Sequence, residues 1–143
     1  MGLKICTKLE LPKIIDTRGN LTYIENENQI PFQIKRIFYI YDVANGAPRG
    51  AHAHRELEQF IIAISGSFDI ELKDGKSINN FTLTNPQSGL YIPPMTWVNL
   101  GNFSNGAVCL VLTSAPYDEA DYIRDYDVFL TAVRENQHDS AIS

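Results

Sequence analysis

From residue 34 to residue 113 the chain is a succession of short runs rich in β-branched and aromatic residues, divided by turn signals. The runs fall at 34–43 (IKRIFYIYDV), 59–64 (QFIIAI), 67–72 (SFDIEL), 81–83, 90–92 and 107–113 (AVCLVLT). Ser65-Gly66, Asp74-Gly75, Asn85-Pro86, Pro93-Pro94 and Gly101-Asn102 stand between or beside them as turn residues. Strands this short and this regularly interrupted predict an all-β sandwich, jelly roll or small barrel. Asp74-Gly75 is the strongest hairpin signal among the turns.

The pattern changes after Pro116. In YDEADYIRDYDVFLTAVREN the apolar residues Tyr122, Ile123, Tyr126, Phe129, Leu130 and Val133 recur at helical spacing, and acidic residues crowd the first turn, where the helix dipole favours them. This predicts a helix over about 118–135, packed outside the β-body, with a polar tail over 137–143. At 143 residues the chain has the size of one domain, expected to span 1–136 with the helix included.

Several classes of function fall away on composition. A net charge of -5 argues against a nucleic-acid binder, because phosphate affinity is built from clustered Lys and Arg. No run of eighteen uncharged apolar residues occurs and the first residues lead into no signal-type apolar run, so neither membrane insertion nor export is expected. Cys6 and Cys109 lie far apart, which suits two structural thiols in a reducing, cytoplasmic setting.

The chemistry gathers in RGAHAHRELEQ, residues 49–59. On a strand the side-chain period is two, so His52 and His54 face one way while Ala51 and Ala53 face the other. Two imidazoles sharing a pocket serve metal binding or proton transfer equally well. Read onward, His-x-His is followed by Glu58 and Gly66, and later by GLYIPPMTW at 89–97. This resembles the two motifs of the cupin superfamily, a conical jelly-roll barrel (double-stranded β-helix) with its site inside. In metal-binding cupins the second motif brings a further histidine, and the matching position here is Val98, which has no donor atom. A first-row metal wants three or more suitable protein ligands. A two-histidine site with Glu58 stays open, but no resident metal is expected and proton chemistry is favoured.

Across nearly its whole length the chain is similar to one cupin family, the dTDP-4-oxo-6-deoxyglucose 3,4-ketoisomerases. The resemblance is carried in order by IDTRGNL at 15–21, IKRIFYIYD at 34–42, RGAHAH at 49–54, SGS at 65–67, GLYI at 89–92 and YDEADYIRDY at 117–126. It implies a cupin barrel with a C-terminal α-helix that moves the keto group of a dTDP-linked 4-keto-6-deoxyhexose from C4 to C3 through an enediolate. The product would feed deoxyaminosugar biosynthesis for a lipopolysaccharide or S-layer glycan. The resemblance also implies a homodimer, and no metal or organic cofactor. A 3,5-epimerase on the same substrate, a non-catalytic sugar-nucleotide-binding cupin and a metal-dependent oxygenase are the alternatives.

Within this reading His54 and His52 are expected to be base and proton shuttle, with His54 favoured as the base, because imidazole accepts and donates protons near neutrality. In IKRIFYIYDV, Arg36, Phe38 and Ile40 share one strand face and Ile37, Tyr39 and Tyr41 the other. Tyr39 is chosen over Tyr41 as the phenol of the site. Arg49 leads the candidates for the diphosphate, followed by Arg18 and Arg36, since a guanidinium fork matches phosphate oxygens. Trp97, the chain's one tryptophan, is expected either to cover the barrel mouth and stack on the base or to pack in the core. Glu56 or Glu58 would orient a histidine.

Overall fold

The computed structural model describes residues 5–44 and 46–142. In chain order the strands are β1 (Thr7–Glu10), β2 (Lys13–Ile14), β3 (Leu21–Thr22), β4 (Arg36–Ile40), β5 (Arg49–His54), β6 (Gln59–Ser65), β7 (Phe68–Lys73), β8 (Ile78–Leu83), β9 (Ser88–Ile92), β10 (Trp97–Gly101), β11 (Val108–Thr113) and β12 (Tyr122–Ile123), followed by helix α1 (Tyr126–Ile142). Two five-stranded antiparallel sheets, ordered β1-β9-β6-β11-β4 and β12-β5-β10-β7-β8, form the cupin-type jelly roll; β2 and β3 pair apart from them.

Alternation along the strands divides the apolar residues into layers. Ile61, Ala63, Phe68, Ile70, Leu72, Leu90, Ile92, Val98, Leu100, Cys109 and Val111 fill the space between the sheets. The opposite faces of β6, β9 and β11 supply Phe60, Ile62, Tyr91 and Leu112, which pack under Leu11, Ile30 and Phe32. These strands are therefore covered on both sides, which is why QFIIAI reads as a continuous apolar run with no polar alternation. Burying each large side chain here contributes about 1.5–3 kcal/mol.

On the outer face of the other sheet, Ala53, Trp97 and Ile123 receive Phe129 and Ala132 of α1. Trp97 lies edge-on to Tyr126 at 5.2 Å and beside Phe129 at 5.8 Å between ring centroids. The tryptophan therefore anchors the helix from outside the barrel, and the expectation that it stacks on the substrate gives way to its packing alternative.

The β7–β8 hairpin forms around Asp74-Gly75, with Lys73 opposite Ile78 and the Asp74 carboxylate accepting from the Lys76 and Ser77 amides at 2.9 Å. The helix expected from 118 starts instead at Tyr126, and it continues to Ile142 through most of the expected tail. The acidic residues ahead of it cap other structure. Asp118 caps a short 3₁₀ turn at Glu119–Asp121, and only Asp125 caps α1, accepting from the Val128 amide at 3.1 Å. Tyr122 and Ile123, counted into the helix by their spacing, pair instead with His54 and Ala53 of β5.

Candidate active site

One end of the sandwich opens into a cavity of about 510 Å³, lined by Arg36, Phe38 and Ile40 of β4, Arg49 and His52 of β5, Gln59 and Ile61 of β6, Val98 and Leu100 of β10, and Tyr122 and Arg124. Strict alternation would turn Arg49 away from His52, three positions on. The pairing of β5 with β10 explains why both point inward. His52 lies opposite Val98 and Arg49 opposite Leu100, two inward-facing partners, but the register slips between them. Gly50 at φ +86° and Ala51 at φ +62° absorb the extra residue as a bulge. A Cβ at position 50 would come within 2.9 Å of the Val98 carbonyl oxygen, so glycine meets both the backbone angle and the close approach.

The bulge also sets the protonation of His52. Its Nδ1 lies 3.2 Å from the Gly50 carbonyl oxygen, which can only accept, so Nδ1 carries the hydrogen and Nε2 keeps its lone pair. Burial pushes the His52 pKa below the ordinary value; the Gly50 hydrogen bond opposes this, Arg124 adds to it, and Glu119 counters Arg124. The result is an imidazole held neutral with a fixed tautomer on the cavity wall.

His54 stands behind it, 3 % exposed, its ring 5.1 Å from that of His52. It borders a second, smaller cavity of about 120 Å³ with Arg36, Tyr117, Asp118, Asp121 and Tyr122. Burial, then the neighbouring His52, push its pKa well down, and Asp121 acts in the opposite sense. Thus His52, rather than the favoured His54, lines the large cavity.

The phenol beside the pair is Tyr122. Its ring lies 4.2 Å from His54 and 5.0 Å from His52, as expected of a cross-strand neighbour of His54. Arg124, two residues on, lies 4.1 Å from the Tyr122 ring centroid and is held by Glu119 through bonds of 2.7 and 2.8 Å. Tyr117 donates to the same carboxylate. Both contacts hold Glu119 well below the usual carboxylate range, Arg124 most strongly.

The other expected residues separate cleanly. Arg49 and Arg36 line the cavity, and Arg36 also lies over Phe38 at 4.7 Å and Tyr117 at 5.3 Å. Arg18 does not join them: its side chain is 88 % exposed and paired with Asp16. Tyr39 is on the outer face of β4, 61 % exposed and packed against Tyr41, so its body lies outside the barrel although it borders the rim. The parity that places Arg36 inside excludes it. Glu58 accepts from the Tyr91 hydroxyl at 2.6 Å; the carboxylate beside a histidine is Asp121, 3.5 Å from His54. Among the described residues no cluster of three or more His, Cys, Asp or Glu is placed to hold a metal.

Tyr122, Arg124 and Asp121 were missed as site residues. Their signal was present, since YDEADYIRDY is one of the blocks that carry the family resemblance and nothing in the barrel itself requires it. Helical spacing concealed the short alternation of Tyr122 inward, Ile123 outward and Arg124 inward.

The family model described as "FdtA: WxcM-like, C-terminal" matches residues 4–134. TDP-4-oxo-6-deoxy-alpha-D-glucose-3,4-oxoisomerase of Aneurinibacillus thermoaerophilus is 47 % identical over 121 residues, which cover 85 % of this chain and 87 % of that protein. The structure of the WlaRB TDP-quinovose 3,4-ketoisomerase of Campylobacter jejuni is similar with a TM-score of 0.86 at 50 % identity, covering 90 % of this chain and 99 % of that one. That of QdtA, a sugar 3,4-ketoisomerase of Thermoanaerobacterium thermosaccharolyticum in complex with TDP, has a TM-score of 0.90 at 40 % identity, covering 94 % and 98 %. The epimerase NovW of Streptomyces spheroides shares the fold alone, at 15 % identity with a TM-score of 0.71, covering 85 % of this chain and 69 % of that one.

Proposed function

The chain belongs to the family described as FdtA: WxcM-like, C-terminal, and from that premise we propose that it is a sugar-nucleotide 3,4-ketoisomerase converting dTDP-4-keto-6-deoxyglucose into a dTDP-3-keto-6-deoxyhexose. The observation that carries the reading is His52 on the wall of a cavity with three arginines, its Nδ1 against the Gly50 carbonyl, which assigns the lone pair to Nε2. The 4-keto group acidifies the C3 hydrogen. His52 takes that proton at Nε2, the electron pair moves into the C3–C4 bond, and an enediolate forms. A proton delivered to C4 and loss of the O3 proton give the 3-ketone, while O4 gains a proton and becomes hydroxyl. Two hydrogens leave C3 and O3 and two arrive at C4 and O4, so nothing is consumed.

Tyr122 is assigned to the enediolate oxygens, because its phenol stands against both histidines. His54 relays protons behind His52. Arg49 and Arg36 are assigned to the diphosphate, with Arg124 beside them; a guanidinium delivers two parallel hydrogen bonds to such oxygens. The product, a 3-keto sugar, suits an aminotransferase that follows at C3.

The same proposal includes a homodimer. Ile14, Leu21, Ile37, Tyr39 and Tyr41 are all more than half exposed, and an apolar groove of about 570 Å³ runs along the outside of β4, β6 and β11. A second copy covering this face would give Tyr39 an interface role. Light scattering at micromolar concentration should give about twice the chain mass; a monomer would remove the dimer from the proposal. Both cysteines are unpaired, which suits the reducing cytoplasm.

Proton NMR of the protein with dTDP-4-keto-6-deoxyglucose in heavy water tests the activity. A 3-keto sugar with deuterium at C4 is expected. Deuterium at C5, or inversion at C3, with no 3-keto sugar formed would make the protein an epimerase.

A further inference from the structure

Asp121 comes to the histidines from far along the chain, and its geometry is unusually well fixed. Its carboxylate accepts from the Glu56 amide at 2.9 Å and the Leu57 amide at 3.2 Å, and its backbone carbonyl accepts from the Arg55 amide at 2.9 Å. The three residues that follow His54 are thus clamped to Asp121. The next residue, Tyr122, pairs with His54 across β12 and β5. This arrangement leaves Oδ2 of Asp121 3.5 Å from Nδ1 of His54. That nitrogen is buried and makes no hydrogen bond among the described residues. A gap of 3.5 Å exceeds a good N–H···O bond by a few tenths of an ångström, the kind of distance that closes when a site is charged or occupied.

We propose that Asp121 is a positioning residue for proton transfer: it holds the His54 ring in the Nδ1–H tautomer and balances the charge when His54 takes up a proton. Nε2 of His54 is then the acceptor. A proton reaching it from the His52 and Tyr122 side makes an imidazolium against a carboxylate, and returning it restores the neutral ring, with no net gain or loss.

The groups facing His54 set the need for this partner. His52 lies on its own strand, Tyr122 on β12, Arg36 on β4, and Asp118, Asp121 and Arg124 on the segment before α1, with Glu56 and Tyr117 at the rim of the smaller cavity. Burial disfavours a positive charge on His54, and so do His52 and Arg124; Asp121 favours it. Without a carboxylate there, a ring 3 % exposed would resist protonation still more strongly.

The inference rests on the ketoisomerase reading of the same site, so the test has two independent arms. In the wild-type protein, two-bond proton–nitrogen NMR of His54 should show hydrogen on Nδ1. Asp121→Asn should lower kcat on the order of 10- to 100-fold with KM little changed, shift the His54 titration to lower pH, and move the acidic limb of kcat with it. His54 found in the Nε2–H form in an active wild type would overturn the inference alone. So would an Asp121→Asn protein whose acidic limb and His54 titration stay in place. Should that variant fail to fold, the wild-type tautomer decides. A wild type that leaves dTDP-4-keto-6-deoxyglucose unchanged would instead sink the ketoisomerase reading, whatever its tautomer.

Discussion

Strands β6, β9 and β11 and the pair β5–β12 belong to facing sheets of one barrel and are built on opposite plans. The first three contain no positive-φ residues, slip register only at the Ser65–Val108 end, away from the histidines, and are apolar on both faces, so Phe60, Tyr91 and Leu112 pack outward while Ile61, Leu90 and Val111 pack inward. Along β5 the alternation is broken by two consecutive positive-φ residues, and its partner β12 is only two residues long. Every residue proposed to move a proton lies on the broken pair or beside it. Regular strands fix a stable wall, whereas the bulge turns Arg49 to the side of His52 and the short bridge brings Tyr122 against both rings. Local strain of this kind persists where surrounding structure holds it.

If that division is right, damage to the regular region should fall on stability and damage to the broken region on chemistry. Phe60→Ala should cost about 3–5 kcal/mol in denaturant unfolding while the folded fraction keeps its kcat. Gly50→Ala should cost about 1–3 kcal/mol, because a Cβ there meets the Val98 carbonyl, and its activity loss should exceed what partial unfolding explains. A Phe60→Ala protein that is fully stable, or a Gly50→Ala protein with native kinetics, would break the comparison.

Smaller effects sharpen it. Tyr122→Phe should reduce kcat on the order of 10-fold or more, and Tyr39→Phe should leave it unchanged; the reverse order would return the phenol of the site to β4. The histidines add a pH signature. Both have folded-state pKa values below the ordinary value, burial being the first cause for each. In the window below about pH 6.5 the unfolded chain therefore binds more protons than the folded one, and stability falls with falling pH. It should be fully present above that window and decline down to the depressed folded values. The acidic limb of kcat/KM should accordingly lie below about pH 6.5; a limb above it would mean that the histidines gain rather than lose basicity on folding.

Sequence patterning served the regular region best. The spacing of QFIIAI and AVCLVLT located β6 and β11 to within a residue or so, and the Asp74-Gly75 hairpin formed where expected. The His52 and His54 pair was legible because HxH on a strand places both rings on one side. The bulge was not, since Gly50 announces freedom without direction and Ala51 at φ +62° has no sequence signal. Nor was the role of Asp121, which reads as one more acid at a helix start until the chain folds back and its carboxylate meets the amides after His54. Tyr39 failed for a simpler reason: the same parity that turns Arg36 toward the cavity turns Tyr39 out of it.

The central claim is that His52, not His54, removes the C3 proton. Exchange of the C3 hydrogen of dTDP-4-keto-6-deoxyglucose in heavy water, followed by NMR with wild type, His52→Asn and His54→Asn at saturating substrate, tests it directly. The account predicts that exchange disappears in His52→Asn, while His54→Asn still exchanges C3 but turns over slowly. Persistent C3 exchange in a folded, substrate-binding His52→Asn protein, with its loss in His54→Asn, would contradict it.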